Sequence, residues 1–204
     1  ADELAAAGLD QRLRATVVPA DRGAIMDSEG RPLAHTVEVR HITADQTLVE
    51  DPAETAAVLA SILDLDAAAL QEQLTGDSRF TYLAKSVDPA KWRAIQDWRS
   101  DPENDYVTLQ AIFSERLTAR EYPNGTLAAN VLGFTNAEGV GAAGLEYGLD
   151  QELAGSPGEV VAERGPDGSI IPGSEVSRVD PTTGTGVRLT LDSDLQWVAQ
   201  NAIA

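Results

Sequence analysis

The sequence contains no cysteine, which excludes disulfide bonds and thiolate metal sites from its 204 residues. Basic residues are scarce as well, since 15 lysines and arginines stand against 33 aspartates and glutamates and give a net charge of −18. A surface of this sign repels nucleic-acid phosphates and anionic lipid headgroups, so no nucleic-acid partner is expected. There is also no run of about 18 apolar residues, so these residues do not include a transmembrane helix.

Only two lysines occur, Lys85 and Lys91, and their neighbours exclude two catalytic motifs. The residues three positions before them are Tyr82 and Asp88, so there is no S-x-x-K sequence, and neither lysine is followed by the threonine of K-T-G. Those motifs supply the acylating serine, its lysine and the substrate-binding strand of penicillin-interacting enzymes. No G-x-S-x-G nucleophile elbow occurs either. We therefore expect the chain itself to be non-catalytic.

Neither the histidines nor the glycine-rich segment predicts a cofactor site. His35 and His41 lie at an even spacing, but two histidines without a third clustered ligand make a weak metal site. Residues 139–144 match G-x-G-x-x-G, yet a polar segment precedes them in place of the buried strand of a βαβ unit. We interpret this segment as a turn that leads into a packed helix, and we expect no cofactor.

Apolar residues make up 43% of the chain, which is enough for a core. Alternating and β-branched segments predict strands near both ends, among them a hairpin whose turn is residues 27–30. Aspartates placed directly before apolar helical stripes predict helices that begin after Asp51, Asp66 and Asp88. The other predicted elements are strands at 15–18, 36–49, 80–87, 106–122 and 187–191, helices at 126–132 and 142–153, a hairpin at 158–171 and a last helix from residue 192 or 193. Strands at both ends with helices between them indicate an α+β fold.

Three segments resemble the N-terminal, non-catalytic module of class B penicillin-binding proteins. Residues 22–34, which read RGAIMDSEGRPLA, are similar to the family's R-G-x-I-x-D-R-N-G-x-x-L-A, with Ser28 and Glu29 in place of the usual arginine and asparagine. Residues 120–125 are similar to R-x-Y-P-x-G. Residues 141–155 are similar to G-x-x-G-x-E followed by L-x-G, which also accounts for the apparent dinucleotide motif.

Further segments resemble the septal, cell-division transpeptidases of actinobacteria within this class. They are residues 80–89, 127–133, 164–168, 171–173 and 189–196, the last of which looks like the segment that leads into a transpeptidase domain. Each motif alone is weak, but their order and spacing together make the resemblance specific. It extends over most of the chain, from residue 14 to residue 204.

The resemblance implies a β-rich pedestal base with an inserted helical or mixed head, the arrangement of the penicillin-binding protein dimerisation domain. Residues 14–50 and 106–191 would form the base, residues 51–105 the head, and residues 192–204 the start of the first helix of a transpeptidase domain. The implied location is the extracytoplasmic side of the cell membrane, with an anchor helix before residue 1.

The resemblance also implies that the parent protein is a penicillin-binding serine D,D-transpeptidase that cross-links peptidoglycan at the septum, for which this module is a scaffold. Its partners would be its own transpeptidase domain, the septal glycosyltransferase and other divisome membrane proteins, with a homodimer as a further option. Two alternatives stay open: the pedestal of an elongation-type or resistance-type class B protein, and a self-standing extracytoplasmic hydrolase that uses acidic residues.

The three motifs place charged residues in otherwise apolar segments. We expect Glu146 to pair with an arginine of the first or second motif and so to clamp the base. Removal of one partner of such a buried pair would cost about 3–5 kcal/mol, whereas exposed pairs would be worth little. Glycines in the motifs permit backbone angles or close approaches that other residues resist. The motif residues that we single out are Arg22, Gly23, Asp27, Gly30, Arg120, Tyr122, Pro123, Gly125, Gly144, Glu146 and Gly155.

Overall fold

The computed structural model describes residues 13–163 and 173–203, and its fold is α+β, as predicted. The chain forms two compact units, one made of residues up to Thr36 and from Arg120 onward, and the other of Val37–Ala119. The predicted turn of the hairpin at 158–171 lies outside the described residues, as does the motif at 164–168 and most of the one at 171–173.

The described residues contain the following elements. The strands are β1 (Leu13–Val18), β2 (Ile25–Met26), β3 (Pro32–Ala44), β4 (Thr81–Val87), β5 (Ile112–Glu121), β6 (Gly158–Glu163), β7 (Ser177–Val179) and β8 (Val187–Arg188). The α-helices are α1 (Pro52–Leu63), α2 (Ala67–Leu74), α3 (Pro89–Ser100), α4 (Ala129–Leu132), α5 (Gly144–Gly148), α6 (Asp150–Leu153) and α7 (Ser193–Ala202).

The Val37–Ala119 unit packs helices α1, α2 and α3 against a β-sheet in which β3 and β4 are antiparallel. The side chains of Asp51, Asp66 and Asp88 accept hydrogen bonds from backbone N–H groups in the first turns of these helices, so the predicted starts are confirmed. Strand β3 pairs with both β4 and β5. The shared core consists mainly of aliphatic residues from all of these elements, among them Ile42, Leu59, Leu70, Leu83, Ile95 and Ile112.

The prediction of a strand at 106–122 was wrong at its start. Tyr106–Leu109 forms a 3-10 turn, and β5 begins only at Ile112. The guanidinium of Arg99 in α3 donates hydrogen bonds to the carbonyls of Leu109 and Ile112, which holds the chain in a turn before it enters the sheet. Side-chain periodicity does not reveal this because the donor belongs to another element.

The other unit contains a three-stranded antiparallel sheet in the order β1–β6–β7 and the predicted hairpin of β2 with the start of β3, in which Ile25 pairs with Ala34. Strand β8 runs parallel to β2, with Val187 beside Ile25. A core of buried aliphatic residues lies beside this hairpin, and it contains Ile25, Leu33, Ala34, Ala128, Leu132 and Leu153.

Several predicted elements of this unit are shorter than expected. The helix predicted at 142–153 is divided into α5 and α6, because Leu149 has φ −118° and ψ 25°, outside the helical region. The helix predicted at 126–132 begins only at residue 129, since Ala128 has a positive φ of 53°. Strand β8 ends at Arg188, three residues before the predicted end.

The compact unit Val37–Ala119 contains the range 51–105 and also the greater part of strands β3 and β5. The strand predicted at 36–49 ends as β3 at Ala44 and is followed by a 3-10 turn at Gln46–Leu48. Among the described helices, none has the length and apolar character needed to cross a membrane.

Candidate functional site

Glu146 of α5 is completely buried, with 0% of its surface exposed, and it is the centre of a charge network. Its Oε2 accepts a hydrogen bond from Arg22 Nε at 2.6 Å, and its Oε1 accepts one from Arg120 Nε at 2.8 Å. The hydroxyl of Tyr122 donates to Oε1 at 3.4 Å. Both predicted arginines therefore contact the predicted glutamate, where we had expected only one of them.

Arg22 uses its whole guanidinium in this network. Besides Nε, its Nη1 donates to Asp150 Oδ1 at 2.7 Å and its Nη2 donates to the carbonyl of Glu146 at 2.7 Å. The carbonyl of Arg22 in turn accepts hydrogen bonds from Thr36 Oγ1 at 3.0 Å and from Arg120 Nη1 at 3.3 Å. A planar guanidinium with several fixed donors suits this arrangement better than a lysine ammonium.

Asp150 belongs to the network but was missed by the sequence analysis. It lies four residues after Glu146, a spacing that brings side chains together along helical segments and that could have identified it. The backbone N–H of Gly141 donates to Asp150 Oδ1 at 2.8 Å. This hydrogen bond, opposed by partial burial and helped by Arg22, holds the pKa of Asp150 below its ordinary value. Burial and the charge of Glu146 raise the pKa of Tyr122.

Asp27, which is also 0% exposed, organises a second cluster at the hairpin turn between β2 and β3. Its Oδ1 accepts the backbone N–H groups of Glu29 and Arg31, both at 2.9 Å, and its Oδ2 accepts Arg31 Nε at 2.8 Å and Ser193 Oγ at 2.7 Å. Arg31 Nη1 also contacts Asp194 Oδ2 at 3.0 Å. Burial raises the pKa of Asp27, but the hydrogen bonds from Ser193, Arg31 and Glu29 outweigh it and hold this pKa below its usual range.

The two residues that depart from the family pattern, Ser28 and Glu29, use their backbones in this turn. The N–H of Ser28 donates to the carbonyl of Leu191 at 2.8 Å, and the carbonyl of Ser28 accepts hydrogen bonds from the Arg188 guanidinium. The N–H of Glu29 donates a hydrogen bond to the Asp27 carboxylate, and the side chain of Glu29 is exposed. Because these hydrogen bonds are made by the backbone, the turn tolerates the exchange of both side chains.

Two motif glycines permit close contacts between backbones. A Cβ at Gly23 would lie 2.3 Å from the carbonyl oxygen of Thr185, and a Cβ at Gly144 would lie 2.6 Å from the nitrogen of Gly133. Gly144 also has φ +58° at the start of α5, and the helix it begins carries Glu146. The remaining motif residues lie in turns of the same unit: Gly30 in the hairpin turn, Pro123 and Gly125 after β5, and Gly155 after α6.

The Glu146 cluster combines two cations with two carboxylates, and these groups hydrogen-bond to one another in a largely buried setting. Such an arrangement stabilises and orients chain segments, and it offers neither an activated nucleophile nor a general base to a substrate. Among the described residues, no group of three or more histidines, aspartates or glutamates is placed to hold a metal ion. The network therefore links α5 and α6 to the segments that carry Arg22 and Arg120.

Comparison with protein families agrees with this fold and this network. The sequence model of the penicillin-binding protein dimerisation domain matches residues 17–189, a range that contains both arginines, Glu146 and Asp27. The chain belongs to this family, in agreement with the predicted resemblance. The part that matches is the non-catalytic dimerisation domain.

The individual relatives are penicillin-binding proteins and peptidoglycan transpeptidases. Penicillin-binding protein PbpB of Mycolicibacterium smegmatis is 36% identical over 92% of this chain and 32% of its own length. Peptidoglycan D,D-transpeptidase FtsI of Escherichia coli K12 is 31% identical over 100% of this chain and 34% of its own length. The crystal structure of penicillin-binding protein 2X from Streptococcus thermophilus has the same fold, with a TM-score of 0.65, 24% identity and coverage of 93% of this chain and 31% of that one. The chain thus spans about a third of the length of these relatives.

Proposed function

We propose that this chain is the scaffold module of a septal peptidoglycan D,D-transpeptidase, in which it supports a transpeptidase domain outside the membrane. The family match and the similarity to PbpB and FtsI support this proposal. The absence of S-x-x-K and K-T-G from the sequence agrees with a role that does not include the acylation step itself.

The observation that carries the proposal is that helix α7 exposes its apolar side chains and buries a polar one. Its buried residue is Ser193, whereas Leu195, Trp197 and Val198 are 70%, 62% and 58% exposed. A surface helix of a complete domain buries its apolar side chains, and a cluster of exposed ones indicates an interface. We propose that α7 is the first helix of the transpeptidase domain, whose remaining parts cover these side chains.

We propose that the Val37–Ala119 unit is the head that contacts the septal glycosyltransferase. Phe80, Tyr82 and Phe113 are 51%, 38% and 46% exposed. The rings of Phe80 and Tyr82 are 4.9 Å apart. The Tyr82 hydroxyl lies 3.3 Å from Glu115 Oε2, and Phe113 lies two residues before Glu115 on the same face of β5. Exposed aromatic residues are typical of protein interfaces.

The proposal also covers the location of this module and the membrane anchor of the parent protein. A transpeptidase of this class acts on peptidoglycan, so the module would lie on the extracytoplasmic side of the cell membrane with an anchor helix in an adjoining segment. A membrane-fractionation experiment on the full-length protein would check this location, and recovery of the protein in the soluble fraction would contradict it.

The decisive experiment is to clone the full-length gene and to compare its product with residues 1–204 in labelling by a fluorescent penicillin. We expect an S-x-x-K sequence within about 100 residues after position 204 and covalent labelling of the full-length protein only. A full-length protein that lacks S-x-x-K or fails to label would refute the proposal. For the head, exchange of Phe80 and Phe113 for serine should weaken a two-hybrid signal with the cognate septal glycosyltransferase and leave penicillin labelling intact.

A further inference from the structure

The hairpin turn of residues 27–31 and the start of helix α7 are connected through one buried carboxylate and two further contacts. Asp27 receives hydrogen bonds from its own turn and from Ser193, which lies 166 positions away in the sequence. The second connection is Arg31, which contacts both Asp27 and Asp194. The third is the backbone hydrogen bond from Ser28 to Leu191.

Helix α7 has few other means of fixing its direction. Its apolar residues Leu195, Trp197 and Val198 are 58–70% exposed, so hydrophobic burial contributes little to its direction. The contact farther along the helix is polar and partly exposed: the side chain of Gln200 lies 3.3 Å from the carbonyl of Thr126 and 3.4 Å from the N–H of Ala128. The Ser193 hydroxyl is the one contact of the helix in which both side chains are buried, among the hydrogen bonds of the described residues.

We propose that the turn around Asp27 is a joint that fixes the direction in which α7 leaves the base, with Asp27 and Ser193 as positioning residues. Three of the four donors to this carboxylate belong to the turn, and the fourth, the Ser193 hydroxyl, belongs to the helix, so the carboxylate joins the two segments through charge-assisted hydrogen bonds. The helix itself is begun by another residue, because Asp192 Oδ1 accepts the N–H groups of Asp194 and Leu195. Formation of the helix and its attachment are therefore separable.

The lack of cysteine makes the joint measurable. Cysteines introduced by Glu159→Cys on β6 and Asn201→Cys on α7, both exposed and in the same compact unit, can carry spin labels for a double electron–electron resonance distance measurement. The test variants are Ser193→Ala and Asp27→Asn in this labelled background. The matched control is Ser156→Ala, which removes an exposed hydroxyl of the same unit.

We expect a single narrow distance distribution in the labelled parent and in the control, and a broad one in both test variants. Hydrogen exchange of the α7 amides should stay as slow in Ser193→Ala as in the parent, since Asp192 still begins the helix. An unchanged distribution in both test variants would overturn the joint. Melting of α7 in Ser193→Ala would also overturn it, because the bond would then support the helix and not its direction.

The consequence for catalysis rests on the proposed function and is tested in the full-length protein. If the joint orients a transpeptidase domain, Ser193→Ala and Asp27→Asn should acylate with a fluorescent penicillin as the parent does, yet fail to support division in a depletion strain. Normal division by both variants would contradict the positioning role. A parent protein that does not label at all would refute the proposed function and leave the distance experiment valid.

Discussion

Arg22 Nε lies 2.6 Å from Glu146 Oε2, and these two residues are 124 positions apart in the sequence. The pair is 8% and 0% exposed, so its charges have almost no contact with water. Charges in such a setting depend on each other and on their remaining hydrogen bonds, and loss of one partner leaves the other uncompensated. The stability of the unit is therefore expected to depend on both partners and on the backbone geometry that surrounds them.

Neutralisation of the central carboxylate is expected to destabilise the unit strongly. Glu146→Gln leaves the two buried guanidinium groups facing a neutral amide, and we expect a loss of about 3–5 kcal/mol in the free energy of unfolding. Urea denaturation gives the free energy, and hydrogen exchange of peptides from residues 140–153 locates the change.

The matched control for that variant is Glu152→Gln, which makes the same chemical change at an exposed position six residues away. An exposed glutamate is worth at most about 1 kcal/mol, so this control should unfold almost as the parent does. Equal losses in the two variants would contradict a buried, charge-dependent role for Glu146.

The two arginines should tolerate lysine unequally. Arg22 contacts Asp150, the Glu146 carboxylate and the Glu146 carbonyl, whereas Arg120 contacts the carboxylate and the carbonyl of Arg22. A lysine has one ammonium group and cannot reach all the partners of Arg22. We expect Arg22→Lys to cost about 1.5–3 kcal/mol more than Arg120→Lys, the value of one further hydrogen bond to a charged group. Paired urea titrations measure the difference, and the reverse order would contradict this ranking.

Local signals in the sequence predicted those parts of the fold that depend on local bonds. Asp51, Asp66 and Asp88 each accept N–H groups two or three residues further along the chain, and the predicted helix starts were right at all three. The hairpin turn follows the same logic, because the Asp27 carboxylate bonds N–H groups two and four residues away. Interactions between residues two to four positions apart can therefore be predicted from local sequence patterns.

Partners from distant segments could not be predicted in this way. No local pattern connects Ser193 to Asp27, and the start of β5 depends on Arg99 of another element. The pairing of Glu146 with one arginine was expected only through the family resemblance, and its contact with both was not expected, because the motifs are separated by up to 124 positions. Asp150 is the exception, since its spacing of four from Glu146 was visible.

The unit that contains residues 13–36, 120–163 and 173–203 should lose stability in acid through the buried carboxylate of Asp27 and the partly exposed carboxylate of Asp150. In the folded state the pKa values of Asp27 and Asp150 are below those of an unfolded chain, so both groups contribute stability above the unfolded value of about 3.9. That contribution is lost as the pH falls from about 4 toward the folded-state values. We expect the free energy of unfolding to be level near neutral pH and to decline below about pH 4.

Asp150→Asn tests the assignment of this decline. Asparagine does not titrate, so the variant should be less stable than the parent at neutral pH and should show a shallower decline in acid. Asp21→Asn changes an exposed aspartate of the same unit and serves as the control. Urea titrations at a series of pH values give the slopes, and identical slopes in parent and Asp150→Asn would contradict the assignment.

Two glycines with the same backbone angle separate conformational strain from steric overlap. Gly144 has φ +58° and Gly125 has φ +57°, so alanine pays the same penalty for a left-handed conformation at either position, about 1–2 kcal/mol. A Cβ at Gly125 meets nothing within 4 Å, whereas at Gly144 it would lie 2.6 Å from the nitrogen of Gly133. The contact at Gly144 is with backbone, which cannot move aside as the end of a side chain can.

Gly144→Ala should therefore lower the free energy of unfolding by about 1–3 kcal/mol more than Gly125→Ala does, which is the usual range for forced overpacking. The displacement should also shift Glu146, two residues later in α5. Hydrogen exchange should therefore accelerate across α5 and α6 in Gly144→Ala alone. Equal free energies of unfolding for the two variants would show that backbone angle is the whole reason for glycine at the start of α5. A larger loss at Gly144 would show that the close approach of α4 and α5 sets the position of the buried glutamate.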